Sequence, residues 1–201
     1  MKRFVFISIF ILGSIVHLQA QGFEAKAFTG FTLSQMEGDN LAGFDKAGLN
    51  SGVQVMFHIT DKYLVGMELG YIQKGSRQGI LDLKLFSTDV VTQLNYFELP
   101  VLFEIRDWYD EKIEGHRVAG HLGVSFAYLF SADSENELIM SYVDDFENEL
   151  SFVAGGTIAI TKRWYTTLRY QRAFTKMYKD TSLNTDGLLN YLWSIRMEFK
   201  F

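Results

Sequence analysis

Cysteine is absent from the sequence, so no disulfide can staple the fold and no thiolate is available for catalysis or metal binding. Proline occurs once, at Pro100, which leaves long strands free of their usual breaker. No apolar run reaches the 18 or so residues of a membrane helix, and a mean hydropathy of +0.02 excludes a bundle of such helices. Histidine is scarce: apart from His17, only His58, His116 and His121 are present, without metal-ligand spacing among them. No Gly-x-Ser-x-Gly elbow, phosphate-cradling glycine loop or calcium-loop pattern appears. Basic residues do not dominate either, with 19 Lys and Arg against 24 Asp and Glu, which argues against a nucleic-acid partner. Neither catalysis, a metal site nor a cofactor is expected.

Aromatic residues and alternation are what the chain has instead. Aromatics make up 15% of it, with 18 Phe and 10 Tyr, a β-prone and interface-prone composition. The clearest segment is the last, 190–201. Tyr191, Trp193, Ile195, Met197, Phe199 and Phe201 fall on one side of a strand, and Leu192, Ser194, Arg196, Glu198 and Lys200 on the other. A period of two over about ten residues is the length a tilted strand needs to cross a bilayer. In lipid such a strand is stable only within a closed barrel, so the remaining strands must supply its partners.

The opening residues read as a secretory signal, 1–20. Lys2 and Arg3 form the positive region, 4–16 form a short uncharged apolar run, and Ala20 precedes the expected cleavage. The mature chain, 21–201, is then a single domain. Loss of Lys2 and Arg3 leaves 17 basic against 24 acidic residues.

Seven further strands are expected at 24–35, 48–60, 63–75, 93–106, 116–130, 149–161 and 164–175. The first is the weakest, because Phe28 and Phe31 fall on opposite faces. Connections alternate between short and long, as in outer-membrane barrels. Segments 80–86 and 138–143 leave ten strands open as an alternative. The acidic connection 131–148 carries enough carboxylates to offer a hard cation ligands, although its self-repelling charge reads first as a solvated loop.

Alternation alone does not separate a membrane barrel, apolar outside, from a soluble lipocalin-like barrel, apolar inside. The polar face decides it. Gly66, Gly70, Gly123, Gly155, Ser125 and Thr157 are interspersed there with Glu68, Glu98, Glu104, Arg169, Arg196 and Glu198. Small residues beside isolated opposite charges suit a narrow interior filled by side chains, and these six charges are expected to form a structural network in the lumen. Aromatics near strand ends, among them Tyr63, Tyr71, Phe130 and Trp164, are expected at the membrane interfaces. The fold class is therefore an all-β, antiparallel, up-and-down transmembrane barrel of eight strands.

Residues 94–102, Leu-Asn-Tyr-Phe-Glu-Leu-Pro-Val-Leu, resemble the PorT-like outer-membrane β-barrel family through a Tyr-x-Glu-x-Pro strand at Tyr96, Glu98 and Pro100. Lys46-Ala47-Gly48-Leu49-Asn50-Ser51-Gly52, Gln73-Lys74-Gly75 and Arg169-Tyr170-Gln171 extend the resemblance over most of the mature chain. It implies an eight-stranded barrel in the outer membrane of a Gram-negative cell, and the family's named member serves a protein-secretion apparatus. Similarity to outer-membrane barrels generally also implies that Trp193, Phe199 and Phe201 form the signal read by the barrel-insertion machinery.

On the residues alone, Tyr96, Glu98 and Pro100 share the inward face, and Pro100, lacking an N–H, must interrupt its ladder by a bulge or bend. Glu98 needs a cation, for which Arg169 and Arg196 are the candidates. The functional expectation is a small, non-catalytic outer-membrane barrel with a structural or interaction role, accessory to protein secretion or envelope assembly. Its partners would be the bilayer, the insertion machinery and a secretion or envelope protein. The alternatives are a narrow pore, a small-ligand-binding barrel, or an enzyme acting through His121 or Glu104.

Overall fold

A computed structural model describes residues 22–37, 44, 46–77, 91–134, 148–175 and 189–201. They form eight strands, β1 (Phe23–Glu37), β2 (Lys46–His58), β3 (Tyr63–Arg77), β4 (Val91–Asp110), β5 (Gly115–Ser134), β6 (Glu149–Ala159), β7 (Trp164–Ala173) and β8 (Leu189–Lys200). Each pairs antiparallel with its neighbours in chain order, and β1 closes on β8 from Lys26 opposite Lys200 to Glu37 opposite Leu189. Closure removes every sheet edge along the span, which hydrocarbon requires of a strand. Among the described residues no helix is long and apolar enough to cross a membrane. The signal segment 1–20, the two candidate extra strands and the core of the acidic connection lie outside the described residues.

Burial is inverted relative to a water-soluble protein. Phe31, Leu69, Leu168 and Ile195 stand on the outside, each more than half exposed, whereas Lys26, Glu68, Lys74, Arg169 and Arg196 are at most 2% exposed. The outer face is therefore apolar and the lumen polar, the arrangement of a barrel solvated by lipid. Rings cluster across strands on that outer face: Phe97 stacks on Phe130 at 4.5 Å, Trp164 meets Phe199 at 5.0 Å, and Tyr170 meets Trp193 at 5.1 Å.

Three local features differ from the sequence expectation or sharpen it. First, β1 is a full strand despite its mixed aromatic pattern. Phe28 points inward, where its ring lies 4.2 Å beneath the Arg196 guanidinium, and Phe31 faces lipid. Gly52 and Gly70 make room for that ring, since a Cβ on either would approach its Cζ to 2.7 and 3.1 Å.

Second, Pro100 does coincide with a gap. The β3–β4 pairing lapses between Met67 opposite Val101 and Gly70 opposite Glu98, with register retained. The register shift lies elsewhere, between β4 and β5 at Asn95 and Tyr96.

Third, 107–115 is not simply a turn. β4 and β5 stay paired to Asp110 opposite Gly115, beyond the ends of β3 and β6, so a short ribbon projects from the rim. Trp108 (φ 57°) and Glu114 (φ 51°) take left-handed backbone there, Trp108 where one residue is left out of the ladder and Glu114 in the closing turn.

Candidate functional site

The polar residues that alternate with the lipid-facing ones meet in the lumen, and their contacts fall into three tiers along the barrel axis. The middle tier is organised by Glu68 on β3. Arg169 from β7 donates to its two carboxylate oxygens at 2.8 and 2.9 Å, and Arg196 from β8 does the same at 2.9 and 2.6 Å. Gln54 on β2 adds a fifth donor at 2.8 Å. Five donors thus converge on one buried carboxylate, which is how a charge is kept ionised away from water. Arg169 Nε also donates to His121 Nε2 at 3.2 Å, which assigns that nitrogen as an acceptor and leaves it poorly placed as a general base. Glu198 takes Arg196 Nε at 2.8 Å and the Thr167 hydroxyl at 2.7 Å.

The second tier lies toward the end that bears the long connections. Lys74 bridges Glu98 at 3.2 Å and Glu149 at 2.6 Å, with the Tyr96 ring 5.1 Å from its ammonium. Gln171 donates to Glu98 and, at 2.7 Å, to the Ser151 hydroxyl. Above these contacts Met36, Ile72, Leu94, Tyr96, Ala127 and Leu192 pack into an apolar cluster inside the barrel.

The third tier lies at the short-turn end. Glu24 receives two nitrogens of Arg106, at 3.0 and 2.8 Å, and Lys200 at 2.9 Å, while Arg106 Nε reaches Glu104 at 2.7 Å. Lys26 links this tier to the middle one, lying 3.4 Å from Glu24 and 3.3 Å from Glu198.

All six charges expected in the lumen are found there, but the pairing differs. Glu98 is held by Lys74 and Gln171, whereas both arginines proposed for it sit on Glu68. Glu24, Lys26, Lys74, Arg106 and Glu149 belong to the network as well, beyond the six charges expected. For Glu24 and Lys26 the available signal is their even spacing with Phe28 in β1. Tyr96, Glu98 and Pro100 share the inward face, and Trp193, Phe199 and Phe201 lie along the outer face and end of β8. Among the described residues no His, Asp and Glu grouping is suited to a metal ion.

Within this network each carboxylate is paired with a cation: Glu24 and Glu104 with Arg106, Glu68 and Glu198 with Arg196, and Glu98 and Glu149 with Lys74. Residues 19–179 match the family described as outer membrane protein beta-barrel domain. No curated protein sequence matches the chain. Among solved structures it is similar in fold to Ail, the attachment invasion locus protein of Yersinia pestis, at 13% identity and a TM-score of 0.50, over 90% of this chain and 100% of that one. It is also similar to the outer membrane protein OprG from Pseudomonas aeruginosa, at 12% identity and a TM-score of 0.47, over 90% and 96% of the two chains. With the family model covering most of its length, the chain belongs to the outer membrane protein beta-barrel domain family.

Proposed function

We propose that this small outer-membrane barrel is non-catalytic and non-conducting, and that it acts as a structural or interaction module of the envelope. The observation that carries the reading is the filled lumen. Interlocked ion pairs occupy its middle, and an apolar cluster around Leu94 and Tyr96 packs inside the barrel toward the end with the long connections. An interior of eight strands is just wide enough for such side chains, so the groups left to meet other molecules are the loops, the turns and the rim. In this reading the lumen charges, including Glu68, Glu98, Glu104, Arg169, Arg196 and Glu198, are structural. Trp193, Phe199 and Phe201 at the end of the closing strand serve as the signal for the insertion machinery.

The finer assignment rests on the Tyr96, Glu98 and Pro100 strand, which resembles the PorT-like family and suggests a role accessory to protein secretion or envelope assembly. Crosslinking in intact cells, followed by identification of what co-purifies from the outer membrane, tests it. Reproducible capture of secretion or envelope-assembly components supports the assignment. Capture of insertion machinery alone, together with stable single-channel steps in planar bilayers, overturns it in favour of a pore.

A further inference from the structure

Among the described residues the buried basic side chains are Lys26, Lys46, Lys74, Arg169 and Arg196. Four of them sit on carboxylates: Lys26 on Glu24 and Glu198, Lys74 on Glu98 and Glu149, and both arginines on Glu68. Lys46 is the exception. Its ammonium donates to the Gln93 side-chain oxygen at 2.9 Å and to the Ala47 carbonyl at 3.3 Å, both neutral, and no described carboxylate lies within ion-pair distance of it. The charge that bears on it is another cation, the Arg77 guanidinium.

The groups around this ammonium are donors as well. Gln93 has given its oxygen to Lys46 and has its NH2 left to offer. Ser76 is 2% exposed, and among the described residues its hydroxyl has no hydrogen-bond partner. Lys46 opens β2, Ser76 is the last residue but one of β3, and Gln93 is the third residue of β4. Ser76 stands opposite Thr92, and Gly75 opposite Gln93. The Ser34 hydroxyl joins the group from β1, lying 2.9 Å from the Gly75 carbonyl oxygen and 3.4 Å from that of Lys46. This end of the barrel bears the long connections, which in outer-membrane barrels face the cell exterior.

Bridging β2 to β4 requires a donor at position 46 but not a charge. An ammonium drawn out of water without a counter-ion is costly, so its charge calls for a partner. We propose that Lys46, Ser76 and Gln93 form a cell-surface site for the carboxylate group of a ligand arriving from outside. One unpaired ammonium matches the single charge of a carboxylate. The ammonium, hydroxyl and amide NH2, from three adjacent strands, can serve its two oxygens. A phosphate monoester, at about −1.5 to −2, would overshoot that charge. The proposal rests on the reading of the rim as the part of the barrel that meets other molecules.

The test uses the full mature barrel in detergent micelles at constant ionic strength, titrated with glucuronate. Glucose is the probe without a carboxylate, and inorganic phosphate the competing anion. Binding is read by calorimetry and from the side-chain nitrogen shifts of Lys46 and Gln93. Saturable glucuronate binding that moves both signals, is absent with glucose and weakens at least tenfold in K46Q is the expected result. K46R, which keeps the charge, should retain most of the affinity, and S76A should lose part of it. K46Q removes a charge that has no counter-ion, so it should unfold in urea no earlier than the parent. An earlier midpoint makes Lys46 a structural brace and overturns the proposal. So does the absence of saturable binding, a preference for phosphate, or equal weakening in K162Q at the opposite end of the barrel. Crosslinking that captures no partner counts against the interaction reading but leaves a positive titration standing, so the two failures are distinguishable.

Discussion

Glu68 is where the stability of the lumen is most concentrated, and Glu68→Gln is the sharpest perturbation of it. The side chain is 1% exposed and accepts from both guanidiniums as well as from Gln54. Glutamine keeps the shape but removes the charge, and turns one acceptor oxygen into a donor facing an arginine. Arg196 retains Glu198, but Arg169 is left with His121, which is not an anion. Breaking a buried pair by removing one partner costs about 3–5 kcal/mol, because the desolvated charge on the other side remains. That is roughly a hundredfold to several-thousandfold in the folding equilibrium.

The assay is urea unfolding from micelles or vesicles, followed by the fluorescence of Trp108, Trp164 and Trp193. The lipid-facing Leu168→Ile variant serves as control. Adding Arg169→Gln to Glu68→Gln removes the stranded charge, so the double variant should be less destabilised than the sum of the singles by ~1 kcal/mol or more. A Glu68→Gln shift within ~1 kcal/mol of the control, or strict additivity in the double variant, would refute the argument that Glu68 anchors the lumen.

Three further outcomes are expected. Gly155→Ala should lower the urea midpoint by about 1–3 kcal/mol of stability, because the added Cβ would lie 2.6 Å from both His121 Nε2 and the Leu168 carbonyl oxygen. The projecting ribbon should loosen in acid. The Lys62 ammonium beside Asp107 and the Lys112 backbone N–H beside Asp110 hold these carboxyls below the ordinary value of 3.8, so their contribution is present above that value and is lost as pH falls through the lower folded values. Amide shifts of Trp108 and Lys112 that stay unchanged from pH 5 to the lowest accessible pH would contradict it. Removal of Phe201 should slow insertion in cells while leaving refolding into micelles nearly unchanged, since that ring is 74% exposed and touches Phe199 at 5.7 Å; equal loss in both assays would mean that it acts through packing alone.

The architecture was legible because lipid imposes a rule that sequence can display. Lipid-facing positions must be apolar at every second residue, so β8, with Trp193, Ile195 and Met197 against Ser194, Arg196 and Glu198, announces its faces unaided. The β1 strand announces them poorly for a physical reason. Phe28 fills an inward position that the alternation rule assigns to a polar group, and it is accommodated because the Arg196 guanidinium lies over its ring and Gly52 and Gly70 clear the space. An aromatic ring can serve either side of such a wall, so a phenylalanine alone does not say which side it faces.

Depth along the axis is what alternation cannot encode. Glu98, Arg169 and Arg196 were correctly grouped by face, yet strand tilt and stagger set which of them meet, and those depend on the register of all eight strands together. Glu98 lies opposite Gly70 on β3 and Ala127 on β5, and Lys74, four residues beyond Gly70, extends to it and to Glu149. Glu68, two residues on the other side of Gly70, is the carboxylate that both arginines reach. A shift of two residues in one register would preserve every face while exchanging these partners. The charge network is thus a record of the barrel's stagger: its composition follows from the strands one at a time, and its pairing only from their closure.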